Sequence, residues 1–272
     1  MKVELDLTKT PNENAQELFR RSKGAKRRKE NLEKEIARTQ KELDSEKNRL
    51  KFSQDKEKED FKKKIRILEQ REWYQKFHTF FTSEGLLVIA GRDAQQNDIL
   101  FSKYFEPNDL FFHADIHGAS AVILKNGLSA KGQSLKEAAQ FAACYSSAWK
   151  AGINVADVFY TDKEHVSKYS TGEYVPKGGF MIKGEKKWFK NIELKLMMLM
   201  ERINNVEKLS VVPGYFDFMH SSRAMIKKVT IIPGDIEKKE VAKSIIHKLG
   251  ADGVELAYEQ LLQMLPGSSG IN

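Results

Sequence analysis

The 272-residue chain has one cysteine, Cys144, which excludes an internal disulfide and any cysteine-rich zinc module. A lone cysteine among alanines reads as a small core residue of a helix. Proline is scarce, at six, and from Asn12 to Arg71 there is none, with Gly24 the only glycine. A stretch without either breaker predicts a long helix. No apolar run is long enough to span a bilayer, and the amino terminus is polar rather than signal-like, so a cytoplasmic protein with no membrane partner is the expectation. The phosphate-binding pattern G-x-x-x-x-G-K-[ST] and the nucleophile turn G-x-S-x-G are both missing. Gly178, Gly179 and Gly184 frame a strand rather than open a helix. Nothing here makes a case for an enzyme, a cofactor or a small-molecule substrate.

Positive charge is what the chain has in excess. The net charge is +8, with a pI near 9.2, a balance that favours polyanions. Residues 1–72 hold 22 Lys/Arg against 16 Asp/Glu, most of the surplus. Within them "RRSKGAKRRK" (Arg20, Arg21, Lys23, Lys26, Arg27, Arg28 and Lys29) has seven cations and no acid. On a helix these leave at least one face strongly positive, and counterion release from a polyphosphate would drive association. The plainer reading is a solvated coiled-coil face. Leu32, Ile36, Leu43 and Leu50 give a thin heptad seam. Asn12 or Asn14 is the expected cap, and a fold-back near Asp44-Ser45 is conceivable though no glycine or proline marks it.

At Trp73 the composition turns aromatic and β-like. Strands are expected at Leu86–Ala90, Leu110–Asp115, Ala119–Leu124, "VADVFYT" and "GGFMIKG". "SLKEAAQFAACYSSAWKAG" predicts one helix, capped by a Ser134/Glu137 box and closed by Gly152. The methionine-rich "IELKLMMLMERI" is of uncertain type. "KLSVV" and "AMIKKVTII" read as strands, and a helix capped by Asp235 and stopped by Gly250 precedes a final short helix. The fold class is α+β: a mixed or antiparallel sheet with packed helices, preceded by a charged helical arm. The expected domains are residues 1–72 (arm), 73–190 (α+β body) and 191–272 (α+β extension).

Four segments carry candidate chemistry. In "FFHADIHGAS" strand alternation puts Phe111, His113 and Asp115 on one face, with His117 joining if the strand continues. Same-face neighbours stand roughly 7 Å apart, too far to chelate zinc without a bulge. A metal-dependent hydrolase is therefore the weakest reading, no metal is expected, and structural histidine and ligand contact remain open. "KGEKKWFK" sets Lys183, Lys186 and Lys187 beside Trp188, suited to phosphates and stacked bases, or to a protected edge strand. "SKYSTGEYVPKGGF" is a bent loop offering Ser167, Lys168, Ser170 and Thr171. "GRDAQQND" offers Arg92, Gln95, Gln96 and Asn97, either as a polar turn or as a reader of bases and 2′-hydroxyls.

Together and in this order, "ENAQELF", "WYQKF", "GLLVIAGRDAQQND", "DLFFHADIHGAS", "GEYVPKGGFMIKG" and "IIPGD" resemble the NFACT family over almost the whole chain. The block from Trp73 to Phe189 is similar to its RNA-binding domain, NFACT-R, and the arm to the end of its coiled coil. The tail is similar to the archaeal form, and Gly118-Ala119-Ser120 resembles the archaeal–eukaryotic branch rather than the bacterial one. The resemblance implies a non-enzymatic, RNA-binding role in ribosome-associated quality control. It implies rRNA of the large ribosomal subunit, carrying a stalled nascent chain, and tRNA as partners. Its motif positions here are Gly91, Arg92, Asn97, Asp98, His113, Asp115, Gly118, Gly172, Glu173, Phe180 and Gly184. The candidate RNA contacts are thus Arg20, Arg21, Lys23, Lys26, Arg27, Arg28, Arg92, Gln96, Asn97, His113, Asp115, His117, Lys168, Lys183, Lys186, Lys187 and Trp188. The opening residues resemble the junction after the family's NFACT-N lobe, expected in the full-length protein or on another chain. A protein-interaction module, as the family's fibronectin-binding label suggests, is the rival.

Overall fold

The computed structural model describes residues 5–68, 72–168, 175–203, 206–221, 225–251 and 255–272. The chain forms two compact units, Met1–Gln70 and Arg71–Asn272.

The first unit is one helix, α1 (Pro11–Leu68), whose 58 residues span roughly 87 Å at 1.5 Å each. Thr10 and Glu13 cap it reciprocally: the Thr10 N–H donates to Glu13 Oε2 at 2.8 Å and the Glu13 N–H to Thr10 Oγ1 at 3.4 Å. Pro11 sits at the first helical position, where its missing N–H costs nothing. Neither asparagine is the cap. Asn14 instead folds back, accepting from the Asp6 N–H at 2.9 Å and donating to the Asp6 carbonyl at 2.9 Å. Residues 1–4 lie outside the described residues, and residues 5–10 are turn and coil. No reversal occurs near Asp44-Ser45: Arg38–Glu42, Gln40–Asp44 and Arg49–Glu46 pairs run through the site on an unbroken helix. Leu32, Ile36 and Leu43 are exposed on it.

In the second unit every strand pairing is antiparallel. β1 (His78–Phe81), β2 (Leu87–Ala90), β3 (Leu110–Ala114), β4 (Val122–Leu124), β5 (Val155–Asp162) and β8 (Lys187–Glu193) form a sheet in the order β1-β2-β4-β3-β5-β8. β6 (Val166–Ser167) and β7 (Met181–Ile182) form a small hairpin. β9 (Leu196–Ile203), β10 (Val206–Pro213), β11 (Met225–Ile236) and β12 (Ser269–Ile271) form a second sheet in the order β10-β9-β11-β12. The methionine-rich segment is β9. It is central in its sheet and Met197, Met198, Leu199 and Met200 are all buried, so no polar alternation marked it as a strand.

Helix α2 (Ala94–Ile99) is capped by Asp93, whose side chain accepts from the Gln96 N–H at 2.8 Å, and runs on into a wider turn at Leu100–Tyr104. α3 (Gly132–Cys144) packs against β3, β5 and β8 of the larger sheet and β10 of the smaller. Accordingly even Ser134, Glu137 and Gln140 are buried. The Ser134/Glu137 box does not exist, because the helix starts three residues earlier, with Lys131 in the cap position. Glu137 instead accepts from the Ser83 N–H at 2.9 Å, the Ser83 hydroxyl at 2.6 Å and the Asp217 N–H at 3.2 Å. The expected single helix breaks at Tyr145. Ser146 caps a separate turn, α4 (Ser147–Lys150), by accepting from the Ala148 N–H.

α5 (Lys238–Leu249) follows Glu237 rather than Asp235, which belongs to β11, and ends at Gly250 with φ +74°. α6 (Glu255–Met264) packs on α5. One continuous core joins Val122, Phe112 and Phe141 to Met198, Val229, Ile245 and Leu261, so packing shows no break at residue 190. The opposite face of the larger sheet buries Ile89, Phe111, Ile123 and Phe159 beneath Phe101, Phe180 and Ile182.

Candidate nucleic-acid interface

Three strands lay a row of rings across one face of the larger sheet. His113 stands opposite Phe159, and Phe159 opposite Trp188. Ring centroids lie 5.9 Å apart for His113–Phe159 and 5.5 Å for Phe159–Trp188. β8 is the sheet's edge strand, and Trp188 there is 39% exposed. Lys186 Nζ is 4.5 Å from the Phe159 ring centre and Lys190 Nζ is 4.0 Å from that of Trp188. Lys187 takes the other face, over Tyr160 at 5.9 Å. Lys190 also binds Asp157 at 2.8 Å, which holds that carboxyl below its usual range. Phe159 is itself buried, so the aromatic face open to a stacked base at this edge is that of Trp188, with the ammonium groups of Lys186 and Lys190 beside it for the phosphates.

His113 closes the row's inner end. Its Nδ1 lies 3.0 Å from the Ser120 carbonyl. A carbonyl only accepts, so Nδ1 carries the proton. Burial lowers the ring's pKa against the opposing pull of Ser120 and Asp115, so the ring is neutral at pH 7 and Nε2 is an acceptor. The alternation expected of this strand holds: Phe111 faces one core while Leu110, Phe112 and Ala114 face the other. β3 ends at Ala114, however, so His117 does not continue the row. It is exposed beyond a turn, its carbonyl accepting from the Ser147 hydroxyl at 2.5 Å. Asp115 is exposed too, its N–H bound to the Asp157 carbonyl. Among the described residues no three His, Cys, Asp or Glu side chains are grouped to hold a metal ion.

"GRDAQQND" turns inward where an outward reader was one of its two readings. Asn97 is buried, and its Oδ1 accepts from the Ala121 N–H at 3.1 Å. Arg92 donates to the Phe77 carbonyl at 3.2 Å and to Gln263 at 3.3 Å. Gln96 accepts from the Arg92 N–H at 3.2 Å and donates to the Lys76 carbonyl at 3.3 Å. Lys168 forms an ion pair with Asp98 and lies 4.3 Å from the Phe180 ring centre. Lys183 is exposed, its N–H bound to the His165 carbonyl. Ser170, Thr171, Gly172 and Glu173 lie outside the described residues.

On α1, Arg21 pairs with Glu17 at 2.7 Å and Lys29 approaches Glu33 at 3.9 Å. Arg20, Lys23, Lys26, Arg27 and Arg28 are exposed and form no salt bridge among the described residues.

Residues 76–184, which contain this row except for its Trp188 end, match the family described as the NFACT protein RNA binding domain. The archaeal Rqc2 homolog aRqcH of Methanocaldococcus jannaschii is 33% identical over 212 residues, covering 77% of this chain and 31% of that protein. The chain belongs to the NFACT family. The ribosome quality control complex subunit NEMF of Homo sapiens is 43% identical over 117 residues, covering 42% of this chain and 11% of that protein. The chain thus spans about a third or less of these relatives' length. The C-terminal part of a fibronectin/fibrinogen-binding protein from Streptococcus suis aligns with 23% identity and a TM-score of 0.37, covering 42% of this chain and 44% of that one.

Within this NFACT chain the structure brings together His113, Lys186 and Trp188 from the sequence-derived candidates. It adds Phe159 and Lys190, which sequence reasoning missed. Phe159 lies in an apolar strand like any core residue, and only the strand register sets it between His113 and Trp188.

Proposed function

We propose that this chain is the RNA-binding module of a ribosome-associated quality-control factor. It holds tRNA and the rRNA of a large ribosomal subunit that carries a stalled nascent chain. The carrying observation is Trp188 exposed on the edge strand, backed by the buried Phe159 ring and by His113, and flanked by Lys186 and Lys190. Stacking needs a π-face and takes any base, while lysines supply the phosphate attraction. The unpaired cations of α1 add a second, sequence-independent attraction. The name of one relative, ribosome quality control complex subunit NEMF, supports the same reading. No bond is made or broken by these groups, the working compartment is the cytoplasm, and an NFACT-N lobe supplies the remaining tRNA contacts.

The test is co-sedimentation of the full chain with large ribosomal subunits, with and without peptidyl-tRNA, alongside binding of labelled tRNA at rising salt. The reading expects pelleting that increases with peptidyl-tRNA, and tRNA affinity that falls steeply with salt. Affinity indifferent to salt, or no pelleting with either particle, overturns it. A protein-interaction role has one observation of its own, the exposed Leu32, Ile36 and Leu43 seam on α1. It predicts association with a helical partner that persists after ribonuclease treatment.

A further inference from the structure

The segment 263–269, from the end of α6 to the start of β12, is approached by positive side chains from three separate parts of the second unit. Arg92 Nη1 donates to Gln263 Oε1 at 3.3 Å. Next along, the Met264 carbonyl accepts from the Tyr145 hydroxyl at 2.5 Å, and the Ser268 carbonyl from Trp149 Nε1 at 3.0 Å. Gly267 lies against the Lys150 side chain, where an added Cβ would stand 3.4 Å from its Cγ. Ser269 pairs with Ile236 of β11, two residues before Lys238.

Arg92, Lys150 and Lys238 form no salt bridge among the described residues, and the partners of Arg92 are carbonyl and amide oxygens. Arg92 Nε is buried and has no acceptor. Lys238 opens α5, whose preceding residue, Glu237, provides no side-chain cap. Glu240, in that first turn, is taken by Lys243 at 2.7 Å. Burial, then Lys150, then Arg92 lower the Lys238 pKa, with no carboxylate opposing them. His78, stacked on Tyr145 at 4.1 Å, is pushed down to about 3 by burial and then by Arg92 and Lys238. Like charges gathered without a counter-ion cost stability, and an anion relieves that cost.

We propose that Arg92, Lys150 and Lys238 form a phosphate-binding site around segment 263–269, and that its ligand is a backbone phosphate of bound RNA. The choice of RNA over free phosphate rests on the function proposed above. The site itself rests on the uncompensated cations. It lies at a different place from the ring row: Arg92 follows β2 and Lys238 follows β11, whereas Trp188 is on β8.

The test compares the wild-type chain with a Lys150→Ala/Lys238→Ala pair and a Lys150→Arg/Lys238→Arg pair. Both labelled RNA and pyrophosphate serve as probes. Arg92 is left intact because its guanidinium also ties Phe77 to Gln263. The alanine pair removes mutual repulsion, so its melting temperature in phosphate-free buffer should hold or rise. Its slope of log affinity for RNA against log salt should be shallower by about 0.7 to 0.9 for each phosphate no longer neutralised. The arginine pair should keep the wild-type slope. Pyrophosphate should raise the melting temperature of the wild type and of the arginine pair, but not of the alanine pair. If the wild type binds no RNA yet pyrophosphate still makes this distinction, the site stands, its ligand is free phosphate, and the function proposed above falls. If the alanine pair matches the wild type in both RNA salt slope and pyrophosphate response, the site is refuted whatever the fate of that reading.

Discussion

Gly91 has no room for a methyl group. A Cβ there would stand 2.1 Å from Asn97 Oδ1, the atom that accepts from the Ala121 N–H. Gly91→Ala should therefore break that bond and cost about 1–3 kcal/mol, the penalty of a buried polar group left unpaired. Urea unfolding of the full chain measures it, and a loss under about 0.5 kcal/mol, below the worth of a typical hydrogen bond, would show that Asn97 swings aside freely. Asn97 also shows where sequence reading stopped. Its partner is a backbone group 24 residues away, and no local pattern announces such a bond. His78 poses a second residue-scale case. Its folded pKa of about 3 lies below the ordinary 6.5, so between those values the unfolded chain binds the extra proton. That contribution to stability is complete above about pH 6.5 and fades as pH falls toward 3. His78→Phe keeps an aromatic ring on Tyr145 and removes the titration. Its unfolding free energy should vary less with pH from about 6.5 to 4 than the wild type's; equal slopes would refute the assignment.

Among the elements, β8 brings the ring row to the edge of its sheet. Trp188→Ala should weaken RNA binding roughly 5- to 150-fold, the range for loss of one stacked base, while folding changes little at a partly exposed edge position. Fluorescence anisotropy with single-stranded RNA reads this, and unchanged affinity would remove Trp188 from the interface. The lysine–aromatic alternation of β8 was legible because an edge strand keeps its period of two. β9 was not legible, since a strand covered on both faces shows only a run of apolar residues. The helices divide in the same way. The length of α1 followed from the lack of glycine and proline, yet its cap was placed wrongly. Thr10 and Glu13 satisfy the capping-box spacing with proline between them, and the nearby asparagines drew attention away. In α3 the Ser134/Glu137 spacing gave the opposite error, because both side chains are committed to tertiary partners across the core.

At the scale of the whole molecule, the break between units falls at Gln70/Arg71, close to the change of composition at Trp73. A chain starting at Arg71 should unfold in one cooperative transition with the midpoint of the second unit in the full chain. A non-cooperative melt would contradict that independence. The same shortened chain should keep the ring row but bind RNA with a weaker salt dependence, because it lacks the unpaired cations of α1. A division at residue 190 could not be tested against composition alone. The two sheets share α3, and a shared core leaves no signature in either sheet's own sequence.

That shared helix bears on how such proteins are cut and grafted. The matched RNA-binding domain ends at residue 184, yet α3 within it leans on β10, far beyond that point. An excised piece stopping near 190 would lose Glu193, Lys195, Tyr215 and Asp217, the partners of Gln140, Cys144 and Glu137, and lay that buried face of α3 bare to water. It should precipitate or associate when expressed by itself, whereas a transplant extended to residue 272 should remain monodisperse.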